Sequence, residues 1–430
     1  MVRMMKLAPV LAVLVAASAS HAQPAPKMNA ETKAAFDTCV AGGVPGTTNA
    51  EKRVAACSKA IQSRQLSPEE LARARFERGG ARMAMGNRVM AESDYMEALR
   101  RYDSAIDPRN PDALNLYRRG ATLDALGQDE RALSDFNEAI RLDSKSAMAF
   151  FGRAVLLATR KRAYQRAIED LDKVIALEPA NADAWMRRGD AYRQLGNLGH
   201  ALADLDKAID LEPGNAEARA LRGLANSQRG EVDLAKRDYE AALALDPRNV
   251  DAMVRQATLS GETGNYRLAI GNLDAALDVE KHNPVALYNR GVFYFKLGEY
   301  DRAIADYSRA IELDPTQGLA YNNRCLTRAV AGKDLVDALA DCDTALRLMP
   351  TNTDVRNTRG LVYLKLGDPA IAAVEYDIAL AADPNDPIAL YGRGLARIKD
   401  GETAKGEADQ AAARALMPGI ERAFSIYGIQ

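Results

Sequence analysis

Histidine is nearly absent from this sequence. Three occur in 430 residues, at positions 21, 200 and 282, so no His-based catalytic or zinc cluster is on offer. The four cysteines include no CxxC pair and have no histidine nearby, which removes the usual zinc signatures as well. No sign of charge is in surplus: 57 Lys+Arg against 59 Asp+Glu leave a net charge of −2. A nucleic-acid binder would carry a basic footprint, and none is written here. Beyond the N-terminus no apolar run approaches the roughly 20 residues of a membrane-spanning helix. GxxxxGK[ST], GxSxG, HExxH and GxGxxG are all missing, and with them the familiar phosphate-binding, hydrolase, metalloprotease and dinucleotide signatures. What is abundant is apolar (47%) and charged (27%) material, the balance of a folded chain. Length alone suggests two or three domains at about 150 residues each.

The N-terminus reads as an export signal. Arg3 and Lys6 precede an apolar stretch at 7–17, followed by Ser20, His21 and Ala22. A basic start, a short apolar centre and small residues around the cut describe a secretory signal peptide over residues 1–22. No cysteine stands right after the apolar stretch, so a lipid-anchored start is not expected. A short linker, 23–28, comes next.

The remainder repeats itself. Gly120, Ala154, Gly189, Gly223, Ala257, Gly291, Cys325, Gly360 and Gly394 follow one another at spacings of 34 or 35. Seven residues after most of them comes a second glycine: Gly127, Gly196, Gly230, Gly264, Gly298, Gly332, Gly367 and Gly401. Ala139, Ala208, Ala242, Ala276, Ala310, Ala345, Ala379 and Ala413 form a comb further on, and prolines such as Pro213, Pro247 and Pro315 close the units. Each unit reads as helix, glycine turn, helix and proline stop. One-residue insertions near Arg160 and Gly332 account for the two 35-residue spacings.

The pattern resembles the tetratricopeptide repeat family. Trp185, Gly189, Tyr192, Gly196, Ala201, Leu205, Ala208 and Pro213 match its consensus, with Arg188 where leucine is usual, and residues 287–315 match equally well. Eleven units are counted: two irregular N-terminal repeats over 29–110, then nine over 111–418. The resemblance implies an all-α, right-handed superhelical solenoid with a concave inner face, one elongated domain in place of two or three. Residues 419–430, with Ile420, Phe424, Ile426 and Tyr427, read as a C-terminal capping helix. An exposed docking peptide is the alternative.

Numbered within the unit, Cys325 falls at position 8 and Cys342 at position 24. Cys57 also takes position 24, and Cys39 takes position 8 once a longer turn over 41–49 is allowed. Facing small positions of one hairpin can come within the roughly 4.4–6.8 Å that a disulfide needs, and an oxidising compartment would keep the bonds. Two disulfides are therefore expected, with four free core thiols as the alternative. Position 7 is arginine in nine of eleven units (Arg78, Arg119, Arg153, Arg188, Arg222, Arg290, Arg324, Arg359, Arg393). Position 23 is acidic in the same nine (Asp94, Asp135, Asp170, Asp204, Asp238, Asp306, Asp341, Glu375, Asp409). The two units without the arginine, at Thr38 and Gln256, also lack the acid, at Ala56 and Asn272. Loss in step argues for a repeated ion pair between helices and against a basic spine for an anionic ligand.

In this family, contacts to ligands come from positions 2, 5, 6, 9, 12 and 13 of the first helix. Tyr288, Asn289, Phe295, Asn322, Asn323 and Asn357 are the candidate groove residues. An asparagine offers a donor and an acceptor to any peptide backbone, and the aromatics add apolar area. Plain packing or solvated residues are the competing reading. A clamp for chaperone tails needs lysine at position 5 and has none here; Trp185 reads as core, and His200 and His282 as surface. The expected function is an exported, periplasmic or secreted, non-enzymatic scaffold that binds a protein or extended peptide. It needs no cofactor, metal, nucleic acid or membrane span. A binder of envelope polymer or small molecules is the alternative, and an enzyme with dispersed carboxylates a third.

Overall fold

A computed structural model describes residues 28–41 and 47–428. The signal-peptide segment 1–22, most of the linker and the end of the tail lie outside the described residues. Among those described, the chain forms twenty-three helices and no strand. Packing divides it into two compact units, 1–179 and 180–430.

The first unit holds four hairpins: α1 (Ala30–Val40) with α2 (Thr47–Gln62), α3 (Pro68–Ala84) with α4 (Arg88–Ala105), α5 (Ala113–Ala125) with α6 (Asp129–Leu142), and α7 (Ala147–Thr159) with α8 (Tyr164–Leu177). The second holds seven. They are α9 (Ala182–Gln194) with α10 (Leu198–Leu211), α11 (Ala216–Gln228) with α12 (Val232–Leu245), α13 (Val250–Glu262) with α14 (Tyr266–Val279), and α15 (Pro284–Lys296) with α16 (Tyr300–Leu313). Then follow α17 (Gly318–Ala331) with α18 (Leu335–Leu348), α19 (Thr353–Leu366) with α20 (Pro369–Ala382), α21 (Pro387–Lys399) with α22 (Thr403–Leu416), and the short α23 (Ile420–Ile426). Within each unit every hairpin packs on the next. Among the described residues each unit is an all-α repeat solenoid, of four hairpins in the first and of seven hairpins with a closing helix in the second.

The unit 284–317 shows why the sequence folds this way. Asn283 caps α15 by accepting from the Ala286 amide at 2.9 Å, and Pro284 occupies the first turn, where its missing N–H is no loss. Gly298 ends the helix with φ +76°, a conformation that side chains resist. At the small position 8, a Cβ on Gly291 would lie 2.8 Å from the Tyr307 ring, so the closest approach of the two helices excludes any side chain. Both 35-residue units place their extra residue in the turn: Arg162 (φ +51°) follows α7, and Asp334 (φ +47°) follows Gly332.

Both disulfides are formed within single hairpins. Cys39 and Cys57 have their Cα atoms 4.7 Å apart, Cys325 and Cys342 5.7 Å, and all four side chains are buried. The tail does more than cover the last hairpin. Phe424 of α23 is buried with its ring 4.7 Å from that of Tyr391, and Tyr427 stands edge-on to Phe424 at 5.7 Å.

Candidate functional site

All nine ladder pairs are made. Arg119 holds Asp135 through Nε and Nη2, both at 2.7 Å; Arg188 holds Asp204 at 2.7 and 2.8 Å; Arg393 holds Asp409 at 2.8 and 2.7 Å. Planar guanidinium and planar carboxylate match in this two-point grip. Glu375 departs from it by giving one oxygen to Arg359 at 2.7 Å and the other to Arg356 at 3.1 Å. The hydrogen bond to the acid raises the arginine pKa at Arg119, Arg222, Arg290 and Arg393, so the cations stay charged at any working pH. Sequence reasoning missed the third nitrogen. Nη1 reaches back sixteen residues to the second helix of the preceding hairpin: Arg119 to Asp103, Arg222 to Asp206, Arg290 to Asp274 and Arg393 to Asp377, at 2.6–3.1 Å. With their donors committed on three helices, these arginines are part of the scaffold and form no open basic spine.

The six groove candidates do not stay together. Asn322, Asn323 and Asn357 line one cavity of about 280 Å³ in the second unit. Tyr288 is tied to its edge, its hydroxyl accepting from Asn323 Nδ2 at 3.0 Å. Phe295 packs instead on Tyr300, ring centroids 5.7 Å apart, and Asn289 is half-buried on α15 away from the cavity lining. Asn322 and Asn357 are themselves buried, each 7% exposed. Such side chains face a cavity, not open solvent.

Further walls come from residues that sequence reasoning passed over. Asp354, Leu326, Leu361 and Ile388 occupy positions 2 and 9 of their units, so the family's own contact positions would have found them. Phe424 of α23, Tyr427 just after it and Tyr376 of α20 also line it. Asn357 donates from Nδ2 to Asp386 Oδ2 at 2.6 Å. The other oxygen of Asp386 caps α21, accepting from the amides of Ile388 and Ala389 at 2.8 and 3.2 Å. Burial raises the Tyr376 phenol pKa well above its ordinary value, so it is a neutral hydroxyl.

The remaining singled-out residues are unremarkable in chemistry. His200 is exposed and bonded to Asn197, and His282 to Arg309. Trp185 is half-buried with the Arg188 guanidinium 4.7 Å above its ring. Among the described residues no helix is long and apolar enough to cross a membrane, and no group of three or more His, Cys, Asp or Glu is placed to hold a metal ion.

Family models described as tetratricopeptide repeat match residues 83–147, 154–222, 196–249, 284–317 and 357–419, together more than half of the chain. The small glutamine-rich tetratricopeptide repeat-containing protein 2 of Mycosarcoma maydis is 30% identical over 100 residues, 23% of this chain and 28% of that one. The chain therefore spans under a third of the length of that curated relative. Among solved structures, the APC/C hetero-tetramer Cut9–Hcn1 is similar at a TM-score of 0.53 and 15% identity, covering 89% of this chain and 83% of that one. A tetratricopeptide repeat protein from Parabacteroides merdae is similar at a TM-score of 0.47 and 22% identity, covering 60% of this chain and 98% of that one. At these identities the likeness to the solved structures is one of fold.

Proposed function

Because the chain belongs to the tetratricopeptide repeat family, we propose that it is an exported, non-enzymatic scaffold that binds an extended segment of a partner protein along the first helices α15, α17 and α19. One observation carries the reading: Asn322 and Asn323 of α17 and Asn357 of α19 come to one cavity in successive hairpins. Amides at that repeat suit a backbone whose own N–H and C=O groups recur. The commitment of the ladder arginines to acids weighs against an anionic polymer as the ligand. The two disulfides support export, since such bonds persist in oxidising compartments; the basic and apolar start at residues 1–22 supports it too. A periplasmic or secreted location is part of the proposal.

The test is affinity capture from an envelope extract. The purified chain is compared with a variant carrying Asn322→Ala, Asn323→Ala and Asn357→Ala that retains the wild-type unfolding midpoint. A discrete protein held by wild type and released by the variant is the expected result. Equal retention by both would move the binding face away from α17 and α19, and capture of no protein would end the scaffold reading.

A further inference from the structure

The tail leaves the repeat at Gly419. Elsewhere in the second unit, the first helix of a hairpin packs on the second helix before it, as α21 does on α20; α23 lies on α21 instead. Gly419 makes the turn with φ +85°, a backbone that a side chain would resist. The helix it leaves, α22, is not short of cover. Where Ile209, Leu277, Ile311 and Leu380 are buried at position 28 of their units, α22 carries Arg414, 46% exposed and paired with Glu421 of α23. A polar end of this kind closes a solenoid without further apolar cover.

What the tail covers is positions 2, 5 and 9 of first helices, the places expected to meet a ligand. Phe424 is 2% exposed with its ring on that of Tyr391, and with Tyr427 it borders the cavity against Ile388, Asn357, Leu361 and Leu326. Further along α19, a Cβ on Gly428 would lie 3.3 Å from Lys365 Nζ. The tail therefore passes over that ammonium, at position 13, and a glycine brings it no carboxylate. Among the described residues no acid pairs with Lys365. Burial pulls its pKa down, where an acid alongside would push it up. The tail is also weakly held. Seven residues are too few for a helix that stands alone in water, and the half-exposed Arg414–Glu421 pair adds little. We propose that the tail is a resident stand-in for the partner: Phe424 and Tyr427 occupy the end of the groove, and the segment that displaces them carries an aromatic side chain for Tyr391 and a carboxylate for Lys365. The inference rests on the groove reading and adds to it the partner's chemistry and a brake on access. The ring replaces one aromatic contact with another, and the carboxylate supplies the charge that the tail lacks. A closed tail lowers the apparent affinity by the fraction of chains that stand open.

Fluorescence anisotropy on the full chain tests this, with a labelled peptide of residues 420–428 carrying Gly428→Asp as the probe. A chain with Phe424→Ala and Tyr427→Ala has its groove freed and is expected to bind the probe at least ten-fold tighter than wild type does. The probe is expected to bind that chain several-fold tighter than the unaltered 420–428 peptide, an advantage that vanishes when Lys365→Met is added. A probe that carries Phe424→Ala as well is expected to lose binding. Glu421→Arg reverses the exposed pair with Arg414 and leaves both rings in place. It is the second variant, expected to tighten binding at least three-fold should the double variant fold poorly. Equal binding by wild type and the variants, no binding of the probe, or an aspartate advantage that survives Lys365→Met would overturn the proposal and leave α23 a cap. A wild-type dimer in sedimentation that Phe424→Ala dissolves would make a second copy the occupant and overturn it too. Probe binding with no protein captured from the extract would keep the tail site and end the scaffold reading. A captured protein held equally by wild type and the freed chain, with no probe binding, would do the reverse.

Discussion

Arg290 grips Asp306 with two parallel N–H bonds, Nε to Oδ2 and Nη2 to Oδ1, both 2.8 Å, while its Nη1 holds Asp274 of the preceding hairpin at 2.6 Å. The Asp306 side chain is 9% exposed and that of Arg290 21%. Arg290→Met would strand a buried carboxylate, at a cost of about 3 kcal/mol, the low end for broken buried pairs because the arginine is partly wetted. Adding Asp306→Leu to it would remove the stranded charge. The double variant is expected to lose less than the sum of the single losses by at least about 1 kcal/mol. Chemical-denaturation midpoints of the four proteins check this, and strict additivity would show that the pair is two independent surface charges.

The pair itself was legible in the sequence because both partners are single residue types at fixed positions, lost together at Gln256 and Asn272. Its third member was not. The group facing each Nη1 is Asp274 for Arg290 but Asn137 for Arg153 and Ser308 for Arg324, so aspartate is commonest but other small polar acceptors serve, and the letter is not kept in step with the arginine. The cavity was half legible for a related reason. Asn322 and Asn357 recur with the repeat, but the wall made by Phe424 and Tyr427 depends on a tail that folds back once and has no period to read. Tyr376 sits where other hairpins put Phe136, Leu205 or Tyr307, so its pattern says core and only its partnerless hydroxyl says otherwise.

Alkali should unfold the chain late and steeply. Burial pushes the phenols of Tyr95, Tyr102 and Tyr239 up to about 12, whereas an unfolded tyrosine ionises near 10. The folded pKa is the higher, so these groups contribute stability that is fully present below pH 10 and is lost as pH rises from 10 through 12. Tyrosinate absorbance is expected to show an early exposed class, then a class that ionises together with loss of helical circular dichroism. A single titration centred near 10 with helix retained would refute it.

Each disulfide closes a small loop, with sequence separations of 18 and 17. In the chain-entropy model a bridge of that span contributes about 3 kcal/mol. Replacing Cys325 and Cys342 together by alanine, or Cys39 and Cys57, is expected to lower stability by about that amount in each case. Adding a reductant should lower the midpoint of the wild type and leave a four-alanine variant unmoved. Equal response of both proteins would mean that the bridges do not form in the purified chain.

Asp386 joins helix capping to cavity chemistry, so its two simplest replacements should separate the effects. In Asp386→Ala the Ile388 and Ala389 amides lose their acceptor, about 1 kcal/mol for a cap. The buried Asn357 nitrogen is stranded as well, for about 1–3 kcal/mol more. Asp386→Asn keeps a capping oxygen and is expected to cost only about 1 kcal/mol. Its new amide nitrogen, though, would face the Asn357 nitrogen across 2.6 Å, donor against donor. The Asn357 amide would resolve this by turning over, which puts its oxygen on residue 386. Chemical-denaturation midpoints check the order: Asp386→Ala is expected to lose at least about 1 kcal/mol more than Asp386→Asn, and equal losses would mean that the Asn357 nitrogen is satisfied without residue 386.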